Sequence, residues 1–195
     1  MSAPPAEFEP IETARLRLRR FAAADLPAFL AYRNDPEVAR YQGWETISAG
    51  EADAFLRKQD ATEPGMPGSW LQIAMEEKAS GTVIGDCGLH VREDDPRQGE
   101  IGFTLSRANQ GRGLAREAVA EVLDYAFGTL GMHRMIAVTD ARNAAAATLL
   151  ERIGMRREGH FIQNIWFKGA WGDEFQYAVL REEWLARRAA ERPGG

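Results

Sequence analysis

The sequence predicts one globular α+β domain. Some segments alternate apolar and polar residues with a period of two, which is typical of half-buried strands. Others repeat apolar residues with a period of 3.6, which is typical of amphipathic helices. No internal repeat or low-complexity linker divides the 195 residues, and 45% hydrophobic content suits a single buried core. The elements follow in chain order.

The first half of the chain mixes strand and helix patterns. Residues 15–21 alternate leucine and arginine, which predicts a half-buried strand. Asp25 is expected to cap the helix that follows, and the spacing from Ser48 to Glu51 predicts a capping box at the start of a second helix. A hairpin with a turn at Gly81 and one further strand come next, with strands expected at residues 70–75, 82–91 and 100–107.

The second half begins with the clearest helix of the sequence. Its apolar stripe runs from Leu114 to Leu130 and ends before Gly131. A short apolar strand at residues 135–138 and a helix at residues 143–153 follow. The chain is expected to finish with strands at residues 160–167 and 174–180, a turn at residues 168–172 between them, and a helix from Glu182.

Net charge and residue composition limit the partners and the cellular location that are expected for the chain. The formal net charge of −5 argues against a nucleic-acid partner. The single Cys87 has no disulfide partner and no run approaches the ~18 apolar residues of a membrane span, so a cytoplasmic protein without membrane contact is expected. The scattered histidines lack metal-ligand spacing, so no metal is expected. We expect flexible segments at residues 1–11 and 191–195 and a folded domain at residues 12–190.

A glycine-containing turn, Gln110-Gly-Arg-Gly-Leu-Ala115, links a predicted strand to the clearest helix. Its N–H groups and the positive helix end can converge on a phosphate, and Gly111 and Gly113 let a ligand approach without meeting a Cβ. A tight turn without a ligand is an equal interpretation. A Walker P-loop is excluded because its signature is absent. A dinucleotide fingerprint fits poorly, because Arg116 occupies the third glycine position and Asp140 lies too far along the chain.

A third pattern, Q/R-x-x-G-x-G/A, is satisfied by Gln110, Gly113 and Ala115. Through it the chain resembles the GNAT N-acetyltransferases, whose pyrophosphate-binding motif has this form. Over about residues 12–185 the chain resembles the Rim-type branch, the ribosomal-protein N-terminal acetyltransferases. The resemblance implies the GNAT fold, an α+β fold with a mixed, mostly antiparallel seven-stranded sheet that is splayed between its fourth and fifth strands and has helices on both faces. The segments that carry it are residues 13–21, 100–103, 143–155 and 171–184.

The resemblance also implies that acetyl-CoA, as co-substrate, lies in the gap between the splayed strands. Strand ends at a splay lose ladder partners, so backbone groups of Phe103, Thr104 and Leu105 are expected to bind the pantetheine arm and, at Leu105, the oxyanion. One or two of Arg107, Arg112 and Arg152 are expected to contact CoA phosphates. The remaining cofactor-binding residues are expected to be Gln110, Gly111, Gly113, Leu114, Ala115 and Asn143, the last of which also fits a plain helix N-cap.

Acetyl transfer to an amine needs a base, because an ammonium ion has no free electron pair. Glu100 matches a position at which relatives carry a catalytic glutamate. Alternation along the strand puts Glu100 opposite the core-facing Ile101, Phe103 and Leu105. An ordinary surface glutamate is the alternative interpretation.

Two positions depart from the family pattern. Leu150 stands where many GNAT enzymes carry a tyrosine that protonates the departing thiolate, and Ala146 where Rim-type members often carry a serine. A thiol pKa near ~8.5 makes the CoA thiolate a tolerable leaving group without a dedicated acid. The leading hypothesis is direct attack by a primary amine within a ternary complex. The alternative is a CoA-binding regulatory or sensing module with little or no turnover.

The acceptor is expected to be a protein N-terminus or a small cationic amine, and the acidic charge balance favours a cationic one. Trp44, Trp70 and Trp166 lie in or near predicted loops and are expected to line the acceptor pocket. Asp173 is expected to attract the ammonium group. In the competing interpretation the tryptophans pack under the turn and Asp173 caps it. A homodimer is a family-level expectation.

Overall fold

The computed structural model describes residues 8–191, whose strands form one eight-stranded sheet. The α-helices are α1 (Leu26–Arg33), α2 (Pro36–Ala39), α3 (Ala49–Asp60), α4 (Leu114–Asp124), α5 (Ala144–Arg152) and α6 (Arg181–Glu191). The strands are β1 (Ile11–Glu12), β2 (Leu16–Arg19), β3 (Trp70–Glu77), β4 (Thr82–Val91), β5 (Gln98–Leu105), β6 (Arg134–Asp140), β7 (Arg156–Phe167) and β8 (Ala170–Leu180). Their order in the sheet is β1-β2-β3-β4-β5-β6-β8-β7.

The sheet opens between β5 and β6, its only parallel neighbours among the described strands. Their register holds three pairs, which end at Glu100 opposite Ile136. Because β5 continues to Leu105 and β6 to Asp140, the two strands diverge beyond the last pair. The predicted α+β fold and its splay are confirmed. The additional eighth strand is β1, whose first residue, Ile11, falls in the predicted flexible segment.

Two clusters of buried side chains hold helices on opposite faces of the sheet. The larger cluster packs α4 and α6 against one face and includes Phe127 and Trp184. The smaller cluster packs α1 and α3 against the other face around Phe29. The adjacent residues Ala74 and Met75 of β3 are both fully inaccessible and belong to different clusters. The sheet is therefore covered by helices on both sides at this point.

Two predicted helix caps have different outcomes. At α3, Glu51 N–H donates to the Ser48 hydroxyl at 3.3 Å and Ser48 N–H donates to the Glu51 carboxylate at 2.8 Å, so the capping box is confirmed. Asp25 makes no capping hydrogen bond to α1. A 3₁₀ turn precedes α1 and gives Asp25 a helical backbone, so its carboxylate instead accepts from Arg19 and from Ala22 N–H, both at 2.7 Å.

The packed chain begins before the predicted boundary at residue 12. Phe8 is buried, and its ring packs edge-on against Tyr125 with 5.2 Å between centroids. Ile11 pairs with Leu18 across β1 and β2. The proline-rich composition of this segment predicted flexibility, although Phe8 and Ile11 attach it to the core and the sheet. At the other end α6 continues to Glu191, and residues 1–7 and 192–195 of the predicted flexible ends lie outside the described range. None of the helices between residues 8 and 191 is long and apolar enough to cross a bilayer.

Candidate active site

Two cavities meet at the splay between β5 and β6. The first, of about 550 Å³, lies beside the turn before α4 and the start of α5, and we call it the glycine-turn cavity. The second, of about 910 Å³, lies on the side of α1, α3 and the β7–β8 hairpin. We call it the carboxylate cavity, because four acids line it: Asp86, Glu100, Asp140 and Glu174. Both cavities are lined by Tyr41, Gln42, Phe103 and Thr104.

The backbone groups of β5 alternate between β4 and the gap. Ser106 N–H donates to the Ile84 carbonyl at 2.8 Å, which fixes the phase of the hydrogen-bonded pairs between β4 and β5. Hydrogen-bonded pairs recur at every second residue of an antiparallel strand, so the backbone of Thr104, two residues before Ser106, is bonded to β4. The N–H and C=O groups of Phe103 and Leu105 point the other way, toward the gap. The expectation that the backbone of Thr104 binds pantetheine is therefore wrong, because the sheet uses those groups.

Side-chain amides already hold the carbonyls of this edge. The Gln42 amide donates to the Phe103 carbonyl at 3.4 Å, and the Gln110 amide donates to the Leu105 carbonyl at 3.0 Å. Gln110, which the motif indicated as a cofactor ligand, thus fixes the β5 edge with its side chain. The N–H groups of Phe103 and Leu105 remain as the donors that face the gap.

The glycine-containing turn leaves open space beside the start of α4. Gly111 and Gly113 have φ values of +73° and +77°, which strain any residue with a side chain. A Cβ at Gly111 would meet nothing within 4 Å, and a Cβ at Gly113 would meet only the Arg15 guanidinium at 3.5 Å. No side chain caps α4. The first N–H groups of the helix therefore face an open concavity that fits a phosphate group.

Positive charge surrounds this cavity. Arg107, Arg116 and Arg152 line it, and none forms an ion pair with an acid between residues 8 and 191. Arg116 was not among the predicted ligands. Arg112 was predicted, but its guanidinium is drawn across to Glu77 at 2.8 Å and does not line the cavity. The other predicted residues that line it are Phe103, Thr104, Leu105, Gln110, Gly111, Gly113, Leu114, Ala115 and Asn143.

Asn143 is the N-cap of α5. Its Oδ1 accepts from Ala146 N–H at 3.1 Å, so the cap interpretation holds, and the Nδ2 group is still available to a ligand in the cavity. Leu150, at the position of the family tyrosine, is buried in the core, and Ala146 is also buried. Neither position offers a hydroxyl group.

Glu100 is half-buried in the carboxylate cavity. Its side chain lies on the sheet face opposite Ile101 and Leu105, which are in the core, as alternation predicts. Burial, with a further contribution from the Glu174 carboxylate, raises the pKa of Glu100. Asp140 opposes Glu174 in the β6–β8 register, so negative charge is concentrated near Glu100. A carboxylate with a raised pKa is a suitable proton acceptor.

Two of the predicted acceptor-pocket tryptophans, Trp44 and Trp70, line the carboxylate cavity. Trp70 stacks on His90 with 5.0 Å between ring centroids. A Cβ built on Gly88 would come within 2.9 Å of the Trp70 ring, and one built on Gly102 within 3.8 Å. The two glycines thus leave the space that the Trp70 ring occupies on the sheet.

Trp166 lines neither of the two cavities at the splay. It is 61% exposed and packs edge-on against Trp171 across the β7–β8 hairpin, with 5.5 Å between centroids. Its neighbours Ile165 and Phe167 line the carboxylate cavity instead. Successive side chains of a strand point to opposite faces, so the prediction was wrong by one residue.

Asp173 also lies outside the two cavities, and its side chain makes contacts within the β7–β8 hairpin. Its carboxylate accepts from Gln163 N–H at 2.8 Å and lies 3.3 Å from the His160 ring. Gln163 has a φ of +48°, at an irregularity in the β7–β8 register. The turn interpretation of Asp173 therefore replaces the acceptor interpretation.

The sequence analysis missed Tyr41 and Gln42, which line the junction of the cavities. They follow α2 in a loop that ends in the predicted Trp44, and this cluster of aromatic and amide residues was the available signal. Within residues 8–191 no three histidine, cysteine or acidic side chains are arranged so that they could hold a metal ion.

Comparison with known proteins agrees with this geometry. A model of an acetyltransferase (GNAT) domain matches residues 15–156. YnaD of Bacillus subtilis, named an uncharacterized N-acetyltransferase, is 30% identical over 174 residues, which cover 89% of this chain and 98% of the relative. The spermidine N(1)-acetyltransferase of Vibrio cholerae is 29% identical over 111 residues, 57% of this chain and 64% of the relative.

Solved structures share the fold. The GNAT-family acetyltransferase from Bacillus anthracis superposes with a TM-score of 0.79 at 28% identity and covers 89% of this chain and 99% of its own. A spermidine N-acetyltransferase from Vibrio cholerae, in complex with CoA and spermine, gives 0.76 at 24% identity, with 89% and 99% covered. The family model spans the splay, the turn and Asn143, and the free N–H groups, open turn and arginines suit acetyl-CoA, the family's co-substrate. The chain belongs to the GNAT family of acetyltransferases.

Proposed function

We propose that the chain acetylates a small cationic primary amine by direct attack within a ternary complex. The observation that carries this proposal is the junction of the two cavities. One cavity has features suited to a phosphorylated cofactor and the other is lined by four carboxylates, and both reach the free edge of β5.

In this proposal the glycine-turn cavity holds CoA. The N–H groups of the turn and of the first turn of α4 bind the pyrophosphate, and Arg107, Arg116 and Arg152 add positive charge near the phosphates. Nδ2 of Asn143 donates to the pantetheine arm. Acetyl-CoA bound there would supply an activated acetyl group, and its thioester would lie beside the gap-facing N–H groups of β5.

The carboxylate cavity receives the amine. Its acids outnumber its bases, Arg33 and Lys58, and Arg33 is already paired with Asp86. Trp44 and Trp70 supply apolar walls for the carbon skeleton. The related spermidine acetyltransferases support a cationic acceptor of small size. A protein N-terminus remains the second candidate acceptor.

The reaction uses few protein groups. Glu100 removes a proton from the ammonium group, directly or through water, and so provides the neutral amine. A C–N bond forms, the C–S bond breaks and its electron pair leaves with the sulfur, while the N–H group of Leu105 stabilises negative charge on the carbonyl oxygen. As the tetrahedral intermediate collapses, the attacking nitrogen loses its second proton to solvent, and the thiolate takes up a proton from solvent. Glu100 then returns its proton to solvent, so one proton is released overall for each acetyl group transferred.

Direct attack is supported by the state of the only thiol. Cys87 is fully buried in the core, and burial raises the pKa of its thiol well above the usual value. A neutral, inaccessible thiol cannot accept the acetyl group from the cofactor. An intermediate acetylated on Cys87 is therefore excluded.

Steady-state kinetics with a panel of amines tests the proposal. We expect CoA release that depends on a small cationic primary amine, with intersecting double-reciprocal lines, as a ternary complex requires. Parallel lines would instead indicate a covalent acetyl-enzyme. CoA binding without release in the presence of any amine would support a sensing module.

A further inference from the structure

Arg33, the last residue of α1, places a guanidinium group in the wall of the carboxylate cavity. The residue is only 8% exposed. Its Cζ lies 3.9 Å from the centroid of the Trp44 ring and 4.9 Å from that of Phe29. Trp44 Nε1–H also donates to the Arg33 carbonyl at 3.1 Å. These contacts fix the position of the guanidinium plane.

Asp86 neutralises this guanidinium. Nη2 of Arg33 donates to both carboxylate oxygens, at 3.1 and 3.2 Å, and the Tyr32 hydroxyl donates to the same carboxylate at 2.5 Å. Because the pair has no net charge, it offers hydrogen-bond donors without a strong attraction for anions. The remaining acids of the cavity also disfavour an anionic ligand.

Most of the donors of Arg33 are unused. Among the described residues its guanidinium hydrogen bonds all leave from Nη2, and Nε is buried without a partner. Gln72 Oε1 is likewise buried without a partner, and Gln72 lines the same cavity. Buried polar groups are normally paired. One donor and one acceptor on residues that line the same cavity are chemically complementary to a carbonyl oxygen and an N–H group.

We propose that Arg33 and Gln72 are specificity-determining residues that bind an uncharged amide group of the acceptor. The acceptor is then a primary amine that also carries an amide, in contrast to amines that carry only further amino groups. Asp86 opposes Thr104 in the sheet, four residues along β5 from Glu100. At ~3.3 Å per residue the backbone positions of Thr104 and Glu100 are about 13 Å apart, which sets the scale of the acceptor's length. This inference rests on the proposed function and refines its substrate class.

The test compares ω-amino amides of increasing chain length with alkylamines of the same length. We expect kcat/KM of the wild-type enzyme to favour the amide by about tenfold at the best length, the effect of a hydrogen bond to a charged donor. In the double variant Arg33→Met/Asp86→Asn, which leaves no unpaired buried charge, this ratio falls to about one. A purely structural role would lower both rates and leave the ratio unchanged.

Three controls make the result decisive. Arg33→Lys keeps a charge opposite Asp86 but lacks the extra donors, so it should also lose the preference for the amide. This variant provides the test if the double variant does not fold. Arg57→Met changes an exposed arginine of α3 and should keep the preference. Short peptides with a free N-terminus separate a small amide from a peptide backbone as the source of the same chemistry.

The outcomes separate the two proposals. An enzyme that acetylates both series equally overturns the role of Arg33 and Gln72 and leaves the acetyltransferase proposal standing. A folded double variant with an undiminished preference does the same. Failure of every amine in both series to release CoA overturns the proposed function and this inference together.

Discussion

Glu100 is subject to two opposing requirements. It must be ionised to accept a proton, yet burial and the Glu174 carboxylate raise its pKa and favour the protonated form. A base with a raised pKa binds the proton more tightly, which helps the transfer, but it is ionised only above a higher pH. The pH dependence of the reaction is therefore the most direct report on this single residue.

We expect Glu100→Gln to lower kcat by about 10²–10⁴-fold, the usual cost of losing a general base. The amide is nearly isosteric and sits in a cavity separate from the phosphate-binding turn, so the affinity for acetyl-CoA should change little. Initial rates and calorimetric titration with CoA measure the two effects. Turnover close to that of the wild type would assign the base to another group or to water.

Glu174→Gln should move the acidic limb of the kcat/KM profile to lower pH. Glu100 accepts a proton only when ionised, so the rate falls as the pH drops through its pKa. Removing the neighbouring negative charge lowers that pKa and extends activity into more acidic solution. A pH–rate profile of both proteins measures the displacement. A limb that stays in place would show that Glu100 does not set it.

Among the secondary-structure elements, the turn before α4 and the β7–β8 hairpin differ in what they require of their residues. The turn needs two positive φ values next to open space. The hairpin closes through Lys168 and Gly169, both with positive φ, the pattern of a two-residue type I′ turn. Lys168 Nζ also donates to the Ala39 carbonyl at 2.6 Å. This bond ties the hairpin to α2, beside the carboxylate cavity.

At the turn, we expect Gly113→Val to abolish measurable acetyl-CoA binding while the protein stays folded. The side chain would project toward the phosphate-binding space, and its positive φ would cost about 1–2 kcal/mol. Calorimetry gives the affinity and a thermal melt gives the stability. Gly128→Val is the matched control, since Gly128 also has open space and lacks a positive φ. Unchanged affinity in a folded Gly113→Val protein would contradict the cofactor assignment.

At the hairpin, Asp173→Asn should lower Tm by about 2–4 °C, which corresponds to roughly 1 kcal/mol in a domain of this size. The charge that accepts Gln163 N–H would be lost, while the cavities would not be touched. The KM for the acceptor should therefore stay at its wild-type value. A raised KM with an unchanged melting temperature would restore the acceptor role of Asp173.

Across the whole molecule, short-range patterns in the sequence identified the elements, and long-range contacts decided the site. Alternation placed Glu100 on the correct face of the sheet, and the glycine motif located the open turn before α4. Trp166 was misplaced because its position near the predicted turn does not show which face of the sheet its side chain occupies. Arg33 and Gln42 act through Asp86 and Phe103, partners that are 53 and 61 residues away along the chain. No local pattern encodes such pairs. The homodimer stays a prediction.

Cys87 reports on the integrity of this whole architecture. It lies in β4 within the larger core cluster and is fully buried. We expect a thiol reagent to label it only as fast as the domain opens, so the labelled fraction in denaturant should follow the unfolding curve measured by circular dichroism. Rapid labelling in native buffer would show that β4 opens locally.

The separation of β5 from β6 also bears on the order in which ligands depart. In the proposed mechanism CoA and the acceptor would approach the reaction centre from opposite faces of one sheet and meet through its opening. In that arrangement neither ligand would lie in the other's exit path. The acetylated amine can leave while CoA is still bound, and CoA can leave while the product remains. The order of release then follows the two dissociation rates, with no steric obligation built into the fold.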